Sequence, residues 1–185
     1  MQKKTIIEIA VVVVALAVMA GVVYVGVQKG GIRVGGPGEG EEKSPGESVA
    51  PGTSPISDRG EVLTAGGKPV DLGVTPGSPD APQQSDPVSL GNLSGDVVKI
   101  SASSVGFVPS EFEAKSGDAV TVAVTSTDSL THLFKFSDPS LSAVAIGVGP
   151  GETRAISFNA PKSGEYAFLC DVPGHGSEVG KMVVK

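Results

Sequence analysis

The residues best suited to chemistry lie in the last sixteen positions, CDVPGHGSEVGKMVVK, from Cys170 to Lys185. This stretch holds the only cysteine of the chain and one of its two histidines, His175, with Pro173-Gly174 between them. A thiolate and an imidazole on one tight loop form a chelating pair. The thiolate is a soft ligand, and imidazole suits copper, zinc, iron or nickel. The other histidine, His132, sits in the strand-like run THLFKF. Together the three side chains offer two nitrogens and one sulfur, the donor set of a trigonal copper electron-transfer site. A single cysteine excludes an intramolecular disulfide, a copper centre bridged by two cysteines and a Cys-rich structural zinc site.

These donors need elements to hold them. From Asp96 onward the chain reads as short alternating runs separated by turns, the pattern of an all-β sandwich. Strands are predicted near Val97–Ser101, Phe112–Lys115, Ala119–Ser126, Thr131–Phe136, Thr153–Asn159, Tyr166–Cys170 and Lys181–Lys185, with a short turn within 139–148. Val120, Val122 and Val124 share one face of their strand, and His132, Phe134 and Phe136 share one face of theirs. The turns are marked by Ser116-Gly117-Asp118, Gly149-Pro150-Gly151 and Lys162-Ser163-Gly164. About 90 residues remain for this domain, enough for one small sandwich core. The GEYAFL and KMVVK runs flank the Cys170–His175 loop, which places that loop at one edge of a sheet.

The stretch FNAPKSGEYAFLCDVPGHGSEVGKMVVK (158–185) resembles the closing hairpin of a cupredoxin, the blue-copper fold of plastocyanin, azurin, rusticyanin and sulfocyanin. Upstream, VGFVPSEFEAKSGDAVTVAVTSTDSLTHLF resembles the first half of that family, ending at the first histidine. The resemblance implies a Greek-key sandwich binding one copper ion through His132, Cys170 and His175. It also points to two departures. Family members commonly carry Met after the second histidine, and laying Gly180-Lys181-Met182-Val183-Val184 on the last strand puts Glu178 in that slot. Glu178 is then the axial candidate, Met182 on a rearranged loop is the alternative, and a site of three strong ligands with a backbone oxygen nearby is the third. A carboxylate is harder and more negative than a thioether, so an axial Glu178 should favour Cu(II) and lower the potential. Leu133 follows His132 where many relatives carry Asn, which leaves Ser126, Thr127 or Asp128 to support the ligands.

The rest of the chain sets the context. With 26 Gly, 14 Pro and no Trp in 185 residues, the sequence is too rich in chain-breakers for one core of that length. The net charge of −6 argues against nucleic acid as a partner. Residues 1–28 carry Lys3 and Lys4, then an apolar run from Ile6 to Val27 broken only by Glu8. From Ile9 to Val27 it is uncharged, about the length that crosses a bilayer as a helix. The reading is a transmembrane anchor with the C-terminal domain (92–185) outside the cytoplasm; a signal segment cleaved near Ala20 is the alternative. Residues 29–91 are Gly, Pro, Ser and Glu-rich and read as a disordered, flexible linker. Within it, Val62-Leu63 and Val70 to Val74 could pair as a hairpin or dock on the domain.

The expected function is a membrane-tethered carrier of single electrons between redox proteins such as cytochromes or a terminal oxidase, and not an enzyme. A copper storage or delivery module is the rival, though no Met-rich or His-rich tract favours it. A red-copper-type site with Glu178 as ligand is the other.

Overall fold

β-Branched and aromatic residues on alternating positions build nine strands in the computed structural model, which describes residues 48–176 and 178–185. In chain order they are β1 (Val97–Ser103), β2 (Gly106–Val108), β3 (Glu111–Ala114), β4 (Ala119–Ser126), β5 (His132–Phe136), β6 (Ala145–Val148), β7 (Thr153–Asn159), β8 (Gly164–Cys170) and β9 (Val179–Val184). One sheet has the order β2-β1-β4-β7 and the other β3-β9-β8-β5-β6. β1 runs parallel to β4 and β3 parallel to β9, and the remaining neighbours are antiparallel.

The two sheets bury one common core. Val120, Val122, Val124, Ile156 and Phe158 face Phe134, Phe136, Phe168, Met182 and Val184 across it. Phe134 and Phe168 pack with their rings tilted by 37° at 4.7 Å between centroids, and Phe136 meets Phe158 of the opposite sheet edge-on at 5.8 Å. The expected alternation holds in β5, where His132, Phe134 and Phe136 are buried and Leu133 and Lys135 lie between them on the outer face. Two short strands, β2 and β6, were not predicted. β6 lies inside the 139–148 stretch read as a turn, whose first residues, Pro139–Leu141, do form a single 3-10 turn capped by Asp138.

The linker expected over 29–91 is corrected where it is described. Residues 48–91 lie on the sandwich and form one compact unit with it. Ser85 N and Val88 N donate to the carbonyls of Ala155 and Thr153, and Gln84 bridges to Ile156, so this strap covers the free edge of β7. Gln84 Oε1 also accepts from Gly147 N of β6. Two unpaired sheet edges are thereby covered. Ala50 packs on Ala123 and Ala155, which is why β4 is buried on both faces and its alternation fails. Val62 and Leu63, expected to pair with Val70 to Val74 or to dock on the domain, bridge instead to Ile56 and Pro69, with Val70 N donating to Val62 O at 3.1 Å. Composition misled because the strap is held through backbone hydrogen bonds and small buried groups, not through an apolar stripe. Residues 1–28 and their anchor reading lie outside the described residues.

Gly180 shows how tightly β9 is packed. It lies opposite Phe168, and a Cβ at this position would run into the Phe168 ring and the Ser110 carbonyl oxygen. The Ser110 carbonyl is backbone, tied to Lys181 N at 2.9 Å, and cannot swing away. Gly180→Ala is therefore expected to cost about 1–3 kcal/mol by overpacking, read from urea denaturation of the metal-free protein.

Candidate metal centre

Three elements converge at one end of the sandwich. His132 opens β5, Cys170 closes β8, and the connection from 171 to 178 leads into β9. The connection is two successive tight turns, closed by His175 N to Val172 O and Glu178 N to His175 O, each 3.1 Å. Pro173 and Gly174 fill the middle of the first turn. Gly174 has φ +92°, the left-handed conformation that a type II turn demands at that place. Cys170 N then donates to Glu178 O at 2.9 Å, closing the loop on itself.

The four side chains named from the sequence are gathered here. One ligand atom from each of His132, Cys170, His175 and Glu178 lies within 4.8 Å of all the others. His132 Nδ1 is 2.8 Å from Glu178 Oε2, His175 Nδ1 is 2.9 Å from Glu178 Oε1, and Cys170 Sγ is 3.5 Å from His175 Nδ1. His132 and Glu178 are fully buried, and the His175 side chain is 13% exposed.

Met182 is placed elsewhere. It sits in β9 opposite Tyr166 and Phe112 and is fully buried in the core. Val179 pairs with Leu169 at the ligand end, so Met182 is three ladder steps, about 10 Å, down the strand. The rearranged loop that would bring it to the ligands is not formed.

Support for the ligands is also resolved among the candidates. Leu133 N donates to Cys170 Sγ at 3.3 Å, and Asp171 N donates to Leu133 O at 3.1 Å. The two ligand segments are therefore tied by backbone, and no side chain after His132 is needed for it. Ser126 Oγ donates to Leu130 O within its own loop, and Thr127 Oγ1 donates to Ala102 O. Asp128 alone of the three reaches a ligand, with Oδ1 2.9 Å from His132 Nε2. Sequence reasoning named it without separating it from its neighbours, and the spacing of four residues before the histidine was the only available signal.

Electrostatics argue that the cluster is built for a cation. Burial pushes the Cys170 thiol up, against the pull of the Leu133 and Val172 amides on its sulfur. Burial pushes the His132 imidazole down, but its bonds to Asp128 and Glu178 outweigh that and the net direction is up. The bonds from His132, Ser104 and Leu130 hold the Asp128 carboxyl well below the usual carboxylate range. Glu178 Oε1 is buried and close to His175 Nδ1, yet out of line for a hydrogen bond and so unsatisfied. A buried carboxylate oxygen left in this state is costly unless a charge compensates it. A sulfur, two imidazole nitrogens and a carboxylate oxygen lie within 4.8 Å of one another, a donor set that fits a bound metal ion.

Comparison with known proteins identifies the family of this domain. Residues 83–184, more than half of the 185-residue chain, match the family profile described as a cupredoxin-like domain. Among solved structures the chain is similar to a dithionite-reduced auracyanin from Roseiflexus castenholzii. That match has 25% identity and a TM-score of 0.43, covering 48% of this chain and 96% of that one. It is also similar to auracyanin A, a blue copper protein from Chloroflexus aurantiacus, at 22% identity over 49% of this chain and 98% of that one, with a TM-score of 0.42. Amicyanin from Paracoccus versutus matches at 23% identity over 54% of this chain and 92% of that one, again with a TM-score of 0.42. The profile match, covering both halves of the sandwich and all four gathered side chains, places the chain in the cupredoxin-like domain family.

Proposed function

We propose that this protein carries single electrons through one copper ion, which His132, Cys170 and His175 would hold with Glu178 as a fourth ligand. The convergence of those four donor atoms within 4.8 Å, with a buried unsatisfied carboxylate oxygen among them, carries the reading. Bound copper would supply the Cu(II)/Cu(I) couple. The protein's own part is to hold the donors in place and keep water away. His132 is fixed at the start of a five-residue strand, Cys170 by the Leu133 amide on its sulfur, and His175 and Glu178 by two tight turns. A donor set this constrained reorganises little when its charge state changes.

His175 is the gathered imidazole that keeps some contact with solvent, and it is the proposed electron exit. Exposed Val105, Leu130 and Val179 lie on the turns and strand end at the same pole, linked through Ser104, Asp128, His132 and Glu178. We assign this apolar pole to docking of a redox protein, a cytochrome or terminal oxidase. The apolar run from Ile6 to Val27 is assigned to a single-pass anchor that keeps the domain on the outer side of the cell membrane.

The full chain titrated with Cu(II) is expected to take up one equivalent and develop an intense thiolate-to-copper band in visible light. Dithionite should bleach the band and a mild oxidant restore it over repeated cycles. Cys170→Ser is expected to lose the band completely while the far-UV circular dichroism stays that of a β-sandwich. A wild-type protein that binds copper without the band, or that does not cycle, would defeat the electron-carrier reading and leave storage or delivery.

A further inference from the structure

Both nitrogens of His132 face a carboxylate. Nδ1 points at Glu178 Oε2, inside the donor cluster, and Nε2 points at Asp128 Oδ1, outside it. A neutral imidazole has one proton to give. If that proton goes to Glu178, Nδ1 has no lone pair for a metal. If it goes to Asp128, Nδ1 is free and aimed at Cys170, His175 and Glu178. The choice between these carboxylates therefore decides whether His132 is a ligand.

The loop between β4 and β5 is built to favour Asp128. Oδ1 also accepts from Leu130 N at 2.9 Å, and Oδ2 accepts from Ser104 N at 2.8 Å. The loop itself is held by Ser126 Oγ on Leu130 O and by Thr127 N on Ala102 O, both 2.9 Å. A carboxylate pinned by two backbone amides on a pinned loop is a fixed acceptor. Glu178, by contrast, has one oxygen without a hydrogen bond and is better served by a cation.

We propose that Asp128 is a positioning residue that fixes His132 as its Nε2–H tautomer and places a second negative charge behind the metal centre. The inference rests on the metal-site reading above. Second-layer carboxylates of this kind orient the imidazole and raise its basicity as a ligand. A charge held behind the ligand also stabilises the more positive metal state, so Asp128 acts in the same direction as Glu178.

Two variants of the full chain separate charge from geometry. Asp128→Asn keeps an oxygen to accept from His132 Nε2 and Leu130 N, and removes the charge together with the second oxygen that accepts from Ser104 N. Asp128→Ala removes both. In the metal-free protein, at a pH high enough that His132 carries a single ring proton, nitrogen-15 NMR is expected to show that proton on Nε2 in the wild type and in Asp128→Asn. In Asp128→Ala the proton should instead move to Nδ1, toward Glu178. Copper affinity is expected to fall about 10–100-fold in Asp128→Ala, the usual loss on removing such a partner. In Asp128→Asn the band should be kept while the Cu(II)/Cu(I) balance shifts about tenfold toward Cu(I), or ~59 mV for one electron.

A proton that stays on Nε2 in Asp128→Ala overturns the positioning role. A potential unchanged in Asp128→Asn overturns the charge. Loss of thermal stability with affinity and potential both intact would reduce Asp128 to a turn-forming residue. If the wild type took up no copper, the metal reading would fall, and the place of the proton on His132 would still decide the role of Asp128.

Discussion

Glu178→Gln is expected to raise the reduction potential on the order of 150 mV and to shift the spectrum toward pure blue. The donor atoms lie within 4.8 Å of one another, so the metal's change of one unit charge is felt by the Glu178 carboxylate at close range. At ~4 Å and an effective dielectric constant near 20, one such interaction is worth about 4 kcal/mol. With ~59 mV for each tenfold change in a one-electron equilibrium, this converts to the figure above. The sign follows from charge: a buried carboxylate favours Cu(II), and the neutral amide releases that preference. Glutamine matches the shape and keeps an oxygen in place, so packing contributes little to the change. A redox titration followed at the visible band decides it. An unchanged potential and spectrum would mean that Glu178 only fills space beside His132 and His175, and that the site works with three strong ligands.

Much of this was legible in the sequence for a simple reason. His132, Cys170 and His175 are the only residues of their types in the chain, so their grouping did not depend on choosing among many candidates. The strands were legible where one face is buried and one exposed, as in β5. They were least legible where a strand is short: β2 has three residues and β6 four, too few to show a period. β4 was found over its full length, Ala119–Ser126, although burial on both faces removes its alternation. The strap was misread for a related reason. Its buried members include Ala50, Ala81, Thr53, Ser54 and Ser85, small groups whose burial leaves no mark on a hydropathy profile. Their contribution is to fit a backbone against β7 and to satisfy the amides of an edge, and neither task selects for apolar side chains.

Asp128 shows a different limit. Its role depends on where a loop places one carboxylate relative to one ring nitrogen, with Ser104 reaching in from the β1–β2 turn. Sequence spacing could bring Ser126, Thr127 and Asp128 close to His132 but could not orient them. The placing of Glu178 beside the cluster was legible to the extent that strand register is. Once Val179 is opposite Leu169, Glu178 must stand at the ligand end and Met182 must be in the core.

Met182→Ala is accordingly expected to destabilise the metal-free protein by about 2–5 kcal/mol and leave the copper spectrum unchanged. Met182 is fully exchanged from water into the layer shared by Phe112 and Phe168, and its loss leaves a cavity between strands that cannot close. Main-chain pairing fixes β9 on both sides, to β3 and to β8, so the backbone has no freedom to collapse into the space. For a unit of this size the midpoint of thermal unfolding should fall on the order of 10 °C. Measuring without metal matters, because a tightly bound ion stabilises the folded state by mass action and would mask the loss. Paired with Glu178→Gln, the result is a double dissociation. Glutamate substitution moves the potential, and methionine substitution moves the stability. If Met182→Ala changed the spectrum while Glu178→Gln did not, the register argument would be wrong and the loop would have to be redrawn with Met182 at the metal.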